Sequence, residues 1–125
     1  MKYFFDNNIP QKLVSLLKVL NVEVRHLKDV FPETAADVQW IPRAGAENWV
    51  VVTSDRNIRT NPAELEALKE NNVTVLFMKK PFVDRKMWDQ AAWTIKHWPK
   101  INGQAERLKR GTHAQVSDNG NLEII

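Results

Sequence analysis

The sequence contains no cysteine. That removes disulfides, thiolate zinc sites and cysteine nucleophiles together, and it accords with a reducing cytosol. No apolar run approaches the roughly 18 residues of a membrane span. The opening MKYFFDNNIP carries one lysine and an acid at Asp6 in place of the apolar stretch of a signal peptide. These absences set the expectation of a cytoplasmic protein with no membrane partner. Repeats and low-complexity tracts are missing too. The three histidines, His26, His97 and His113, show no spacing of the kind zinc needs, and no Ser-His motif is present. What remains is an ordinary globular composition, 43% hydrophobic and 26% charged over 125 residues, which reads as one domain spanning 1–125. The net charge of +3 permits an anionic partner such as nucleic acid without requiring one.

Periodicity along the chain alternates between strand and helix. Lys2–Asp6 is a short aromatic strand ending in an acid. Pro10 opens a helix whose stripe is Ile9, Leu13, Leu16, Leu17 and Leu20, and Val22–His26 is a second strand. Thr34 is a candidate N-cap for a helix running to about Ala46, with Val38, Ile41 and Ala44 inward. Trp49–Thr53 has no polar alternation, as in a strand buried on both faces. Asn61-Pro62-Ala63-Glu64 combines an N-cap, a first-turn proline and a capping-box acid, and Val73–Met78 is a fourth strand. Asp84 is expected to cap a helix that Pro99 ends, with Met87 or Trp88, Ala91, Ala92 and Ile95 inward. The core therefore spans about 1–99, followed by a basic connector over 100–112 and a hairpin over 113–125 around Asn119-Gly120. This order predicts an α/β fold of three layers, α/β/α. Its central, mainly parallel sheet has about four strands, with the C-terminal hairpin added.

Ligands of such sheets bind outside the carboxyl ends of the strands. Asp6 follows the first strand and Asp55 follows the third, so both point to that edge. Asp37, early in the second helix, reaches it if the helix starts there. Carboxylates gathered at a buried edge repel one another, and a divalent cation relieves the repulsion. Hard oxygen donors suit Mg²⁺ or Mn²⁺, which activate water and neutralise charge on a phosphate without a side-chain nucleophile. Each acid also fits a plainer role: Asp37 completes a capping box with Thr34, and Asp55 suits a turn. Asn8, Asp29, Thr53 and Ser54 are candidate supporting groups. Arg56, Arg59, Lys79 and Lys80 are candidate RNA contacts, with solvated surface as the plain alternative. Of the tryptophans, Trp93 lies off the apolar stripe of its helix and is the candidate for an exposed contact.

Three segments together resemble small PIN-like toxin domains. They are Phe4-Phe5-Asp6-Asn7-Asn8-Ile9, then Thr34-Ala35-Ala36-Asp37-Val38-Gln39-Trp40-Ile41-Pro42, then Trp49-Val50-Val51-Val52-Thr53-Ser54-Asp55-Arg56. The resemblance implies metal-dependent RNA cleavage with Mg²⁺ or Mn²⁺, and Asp6, Asp37 and Asp55 match the acidic positions. It also implies the toxin role in a type II toxin–antitoxin pair, with a cognate antitoxin and commonly a homodimer. Larger members carry a fourth acid late in the fold, and no residue here matches it, so one- and two-metal sites both stay open. The competing reading is a non-catalytic PIN-like module that binds RNA or protein. A receiver-type phosphoacceptor domain fits worse, because Lys80-Pro81 follows Asp55 too closely for the intervening strand and helix.

Overall fold

Alternation along the strands decides the layering. A computed structural model describes residues 1–32, 37–54 and 60–125, with Asp37 and Val38 described by backbone only. The elements run β1 (Tyr3–Phe5), α1 (Gln11–Val19), β2 (Val24–His26), α2 (Leu27–Val30), α3 (Asp37–Ala46), β3 (Val50–Thr53), α4 (Pro62–Glu70), β4 (Thr74–Met78), α5 (Lys80–Val83), α6 (Met87–Ala105), β5 (His113–Val116) and β6 (Leu122–Ile124). Tyr3 and Phe5 enter one buried cluster while Phe4 enters another. Val50 and Val52 oppose Val51 in the same way, and Leu76 opposes Val75 and Phe77. Side chains two apart share a face, so the sheet is apolar on both faces and needs helices on both.

Leu13, Val14 and Leu17 of α1, with Trp93, Trp98, Ile101 and Ala105 of α6, cover the first face. Trp40, Ile41 and Ala44 of α3 and Leu68 of α4 cover the second. Phe4 anchors that second layer, stacked on Trp49 at 4.7 Å and tilted against Trp40 at 5.4 Å. Gly45 is required where α3 meets α4, because a Cβ there would stand 2.9 Å from the Asn71 Cβ and closer still to the Asn71 carbonyl oxygen. Among the described residues no helix is long and apolar enough to cross a membrane.

The sheet order is β2-β1-β3-β4-β5-β6. β2, β1, β3, β4 and β5 run parallel, and β6 runs antiparallel to β5. The four strands expected of the core and the two expected of the C-terminal hairpin thus form one six-stranded sheet. The first strand of the C-terminal hairpin continues the parallel sheet beside β4, from Val75↔His113 to Met78↔Val116. It covers an edge that would otherwise present unpaired backbone groups.

The second half departs from the sequence reading in further ways. Asp84 does not cap the long helix; it closes the short α5, and Lys86 precedes α6. Pro99 does not end α6, which continues to Ala105. Residues 100–105 are therefore helix, not connector. They are held by the hairpin: Gln104 Nε2 donates to the Gly120 carbonyl and its Oε1 accepts from Leu122 N–H, both at 2.9 Å. The inward face of α6 also differs. Gln90, Trp93 and Thr94 are buried, whereas Trp88 and Ile95 are exposed. Trp93 is no exposed contact: it packs on Phe82 and donates to the Asp118 carbonyl at 2.8 Å. In the hairpin itself only Gly120 takes a positive φ, +83°, so the turn is not the two-residue type that needs positive φ at both centres. The helix start at Asn61 matches its chemistry, with the side chain accepting from Ala63 and Glu64 N–H.

Candidate functional site

Asp6 comes one residue after β1, and it is only 3% exposed. Burying a carboxylate is costly unless it is hydrogen-bonded, and donors from two of the described residues reach this one. Thr53 Oγ1 donates to Oδ2, and the Asn8 backbone N–H donates to Oδ1 at 3.0 Å. A carboxylate offers about four acceptor positions, and these two bonds fix how the group is turned. The backbone is tied as well. Asp6 N–H donates to the Val52 carbonyl at 3.2 Å, and the Asp6 carbonyl accepts from Ile9 N–H at 3.1 Å. Ser54 Oγ donates to the Asn8 carbonyl at 3.4 Å. The ends of β1 and β3 are thereby joined through both main chain and side chain.

Topology makes this a candidate site. β1 lies between β2 and β3; the crossover from β1 leads to β2, whereas that from β3 leads the opposite way to β4, so the direction reverses between β1 and β3. The crevice at that reversal, outside the carboxyl ends of the strands, is where open α/β sheets bind ligands. Asp6 and Thr53 lie on its two sides. Oxygen donors of this type match the preference of hard divalent cations.

His26, unassigned by spacing, holds the loop that carries Asp6. It is 1% exposed and ends β2. Its Nδ1 accepts from Lys28 N–H at 3.1 Å, which makes Nε2 the protonated nitrogen donating to the Ile9 carbonyl at 2.7 Å. Burial pushes its pKa below the ordinary histidine value, with the Ile9 hydrogen bond and Asp29 pulling weakly the other way. No spacing rule would have found it, because its partner is a main-chain carbonyl that any residue provides.

The remaining candidates are distributed as follows. Asp29 accepts from His26 N–H at 3.1 Å as the acid of a capping box and lies 3.5 Å from Lys18. Asp37 is the first residue of α3 by its backbone; its side chain lies outside the described set. Asp55, Arg56 and Arg59 lie outside the described residues, as does Thr34. Lys79 pairs with Glu123 at 3.0 Å and Lys80 with Asp84 at 2.7 Å. Exposed pairs of this kind contribute roughly 0–1 kcal/mol and exchange readily for other anions. Among the described residues no three His, Asp or Glu side chains gather closely enough to hold a metal.

Comparison with known proteins is sparse but consistent with this geometry. No curated protein and no solved structure matches the chain. Residues 1–80 match the family model of the PIN-like domain, a nuclease-type family. That stretch runs from β1 through β4 and includes both Asp6 and Thr53. The chain belongs to the PIN-like domain family.

Proposed function

We propose that the protein is a metal-dependent endoribonuclease whose Mg²⁺ or Mn²⁺ is held by Asp6, Asp37 and Asp55. The observation that carries this reading is the buried, doubly hydrogen-bonded Asp6 carboxylate at the switch point of the sheet. A carboxylate at the edge of an apolar core, oriented by a hydroxyl and a main-chain N–H, is built as a metal ligand is built, with its supporting shell in place. The cation would supply Lewis acidity and a water of lowered pKa.

Each residue then has a task. Asp6 holds its oxygens at the crevice, and Thr53 fixes the plane of that carboxylate. Asn8 and Ile9 close the loop beneath it, and His26 pins that loop to β2. Asp37 and Asp55, the two further acids that match the family's acidic positions, complete the ligand set. Arg56, Arg59, Lys79 and Lys80 grip RNA phosphates around it. As the toxin of a type II pair, the protein is held inactive by an antitoxin encoded in a neighbouring reading frame.

The test is cleavage of a mixed RNA substrate by the purified protein with Mn²⁺ or with EDTA, beside Asp6→Asn. Cutting that needs the metal and vanishes in the folded variant supports the nuclease. A well-folded protein that binds RNA or an antitoxin yet never cuts, under either cation and across varied substrates, replaces it with a non-catalytic binding module.

A further inference from the structure

The five tryptophans divide sharply. Trp40, Trp49, Trp93 and Trp98 are buried, while Trp88 is 88% exposed. Trp88 stands in the first turn of the long α6 with its indole in water, where it is open to a ligand. Trp88 borders a shallow groove of about 300 Å³ between α1 and α6, lined by Lys12, Leu13, Leu16, Met87, Trp88 and Ala91. No acid lines it.

Both helices that line the groove follow strands whose carboxyl ends form the edge that carries Asp6. Lys12 lies in the first turn of α1, just beyond the Ile9 N–H that bonds to the Asp6 carbonyl. Trp88 lies in the first turn of α6, which follows the carboxyl end of β4 after the short α5. Charge at this end is also distinctive. Of the basic residues after β4, Lys79, Lys80 and Arg85 are paired with Glu123, Asp84 and Asp118. Lys86, next to Trp88, is exposed and in no ion pair among the described residues, and the same holds for Lys12. At the far end of the α1–α6 seam, by contrast, Glu23 and Glu106 line a separate cavity with Leu20, Ile95 and Pro99. The Trp88 end thus offers two ammonium groups in no ion pair among the described residues, with Asp89 beside them in the first turn of α6, whereas Glu23 and Glu106 line the other cavity together with Met1.

We propose that Trp88, flanked by Lys12 and Lys86, is a stacking platform for one unpaired base of a single-stranded RNA whose backbone continues into the Asp6 crevice. An exposed aromatic face beside unpaired ammonium groups is the composition with which proteins hold single strands without reading sequence. A duplex does not fit, since its base faces are already stacked. This inference rests on the ribonuclease reading and adds to it a base contact at Trp88, outside the metal site.

The experiment measures anisotropy of a fluorescein-labelled mixed-sequence 10-mer RNA on the full chain, in the Asp6→Asn background so that no cleavage intervenes. Trp88→Ala is expected to weaken binding roughly tenfold, as loss of one base–aromatic stack does, with Trp88→Phe retaining most of the affinity. Lys12→Ala and Lys86→Ala should each lower the slope of log affinity against log salt by about 0.7, one single-strand phosphate contact. Because Trp88 is exposed, thermal midpoints should be unchanged. Unaltered binding in Trp88→Ala overturns the platform, and if the wild-type chain still cleaves RNA, the nuclease reading survives it. A wild-type chain that neither binds nor cleaves RNA overturns both. A dimer that dissociates on Trp88→Ala while RNA binding is unaltered assigns the face to a second copy instead and also overturns the platform.

Discussion

Removing the Thr53 hydroxyl while keeping its shape tests whether the site is built around the Asp6 charge. Thr53 is 0% exposed and Asp6 3%, so the lost bond cannot be replaced cheaply by solvent. A hydrogen bond to a charged group contributes about 1.5–3 kcal/mol, against about 0.5–1.5 kcal/mol between neutral groups. Thr53→Val alone mixes that loss with the gain from burying a methyl in an apolar strand. A double-mutant cycle with Asp6→Asn removes the mixture, because the methyl gain is common to both backgrounds. The valine should cost about 1–2 kcal/mol more with Asp6 intact than in the Asp6→Asn background, the difference between a charge-assisted and a neutral bond. At a urea dependence of about 2 kcal/mol per molar, that is a relative midpoint shift of roughly 0.5–1 M, read by tryptophan fluorescence in EDTA. Thr53→Ser, which restores the donor, should recover most of the coupling. Two substitutions that add independently, within about 0.3–0.5 kcal/mol, would show that the hydroxyl does not hold the carboxylate and would refute this account of the site.

Two further outcomes follow from features away from the acid. His26 has a pKa below its ordinary value of 6.5, chiefly through burial, so between that value and its folded pKa the unfolded chain binds more protons. Its contribution to stability is present above pH 6.5 and lost as the pH falls through the folded pKa, so urea midpoints should decline on acidification. His26→Gln should flatten that decline, leaving the share of His97 and His113, which burial also pushes down; an unchanged slope would refute the assignment. Gly45→Ala should destabilise by about 1–3 kcal/mol through overpacking, although alanine is ordinarily better in a helix by about 1 kcal/mol. The added Cβ would collide with the Asn71 carbonyl oxygen, and a raised urea midpoint would show that α3 and α4 have room to part.

The parts of the fold legible in the sequence are those where one residue type has one use. Val50–Thr53 carries no polar residue facing water and is buried on both faces, as its composition implies. Asn61-Pro62 starts α4 because an amide cap and a fixed φ act within one turn. The placement of Asp6 followed from strand order and the carboxyl-edge rule. The α6 face was illegible because two of its buried residues are polar. Gln90 Nε2 donates to the Phe82 carbonyl at 3.3 Å and Thr94 Oγ1 to the Gln90 carbonyl at 2.7 Å, so a hydrophobic stripe selects the wrong side. The continuation of α6 past Pro99 depends on a hairpin remote in sequence, which local signals do not contain.

The division of the sheet between early and late residues has a consequence for how the chain acquires its structure. Tyr3 and Phe5, synthesised long before α6, are covered in part by Trp98 and Ile101. The Tyr3 hydroxyl donates to Asn102, 99 positions away. Residues 1–80 can assemble one half of the core from near neighbours, but the other face of the same strands is covered only by α1 until α6 has left the ribosome. Closing contacts of such separation are slow to form, and a nascent chain held at that stage displays an aromatic-rich sheet face to its surroundings. Truncation after β4 should therefore yield an aggregating fragment rather than a smaller working domain, even though everything shared with the family model up to residue 80 is present.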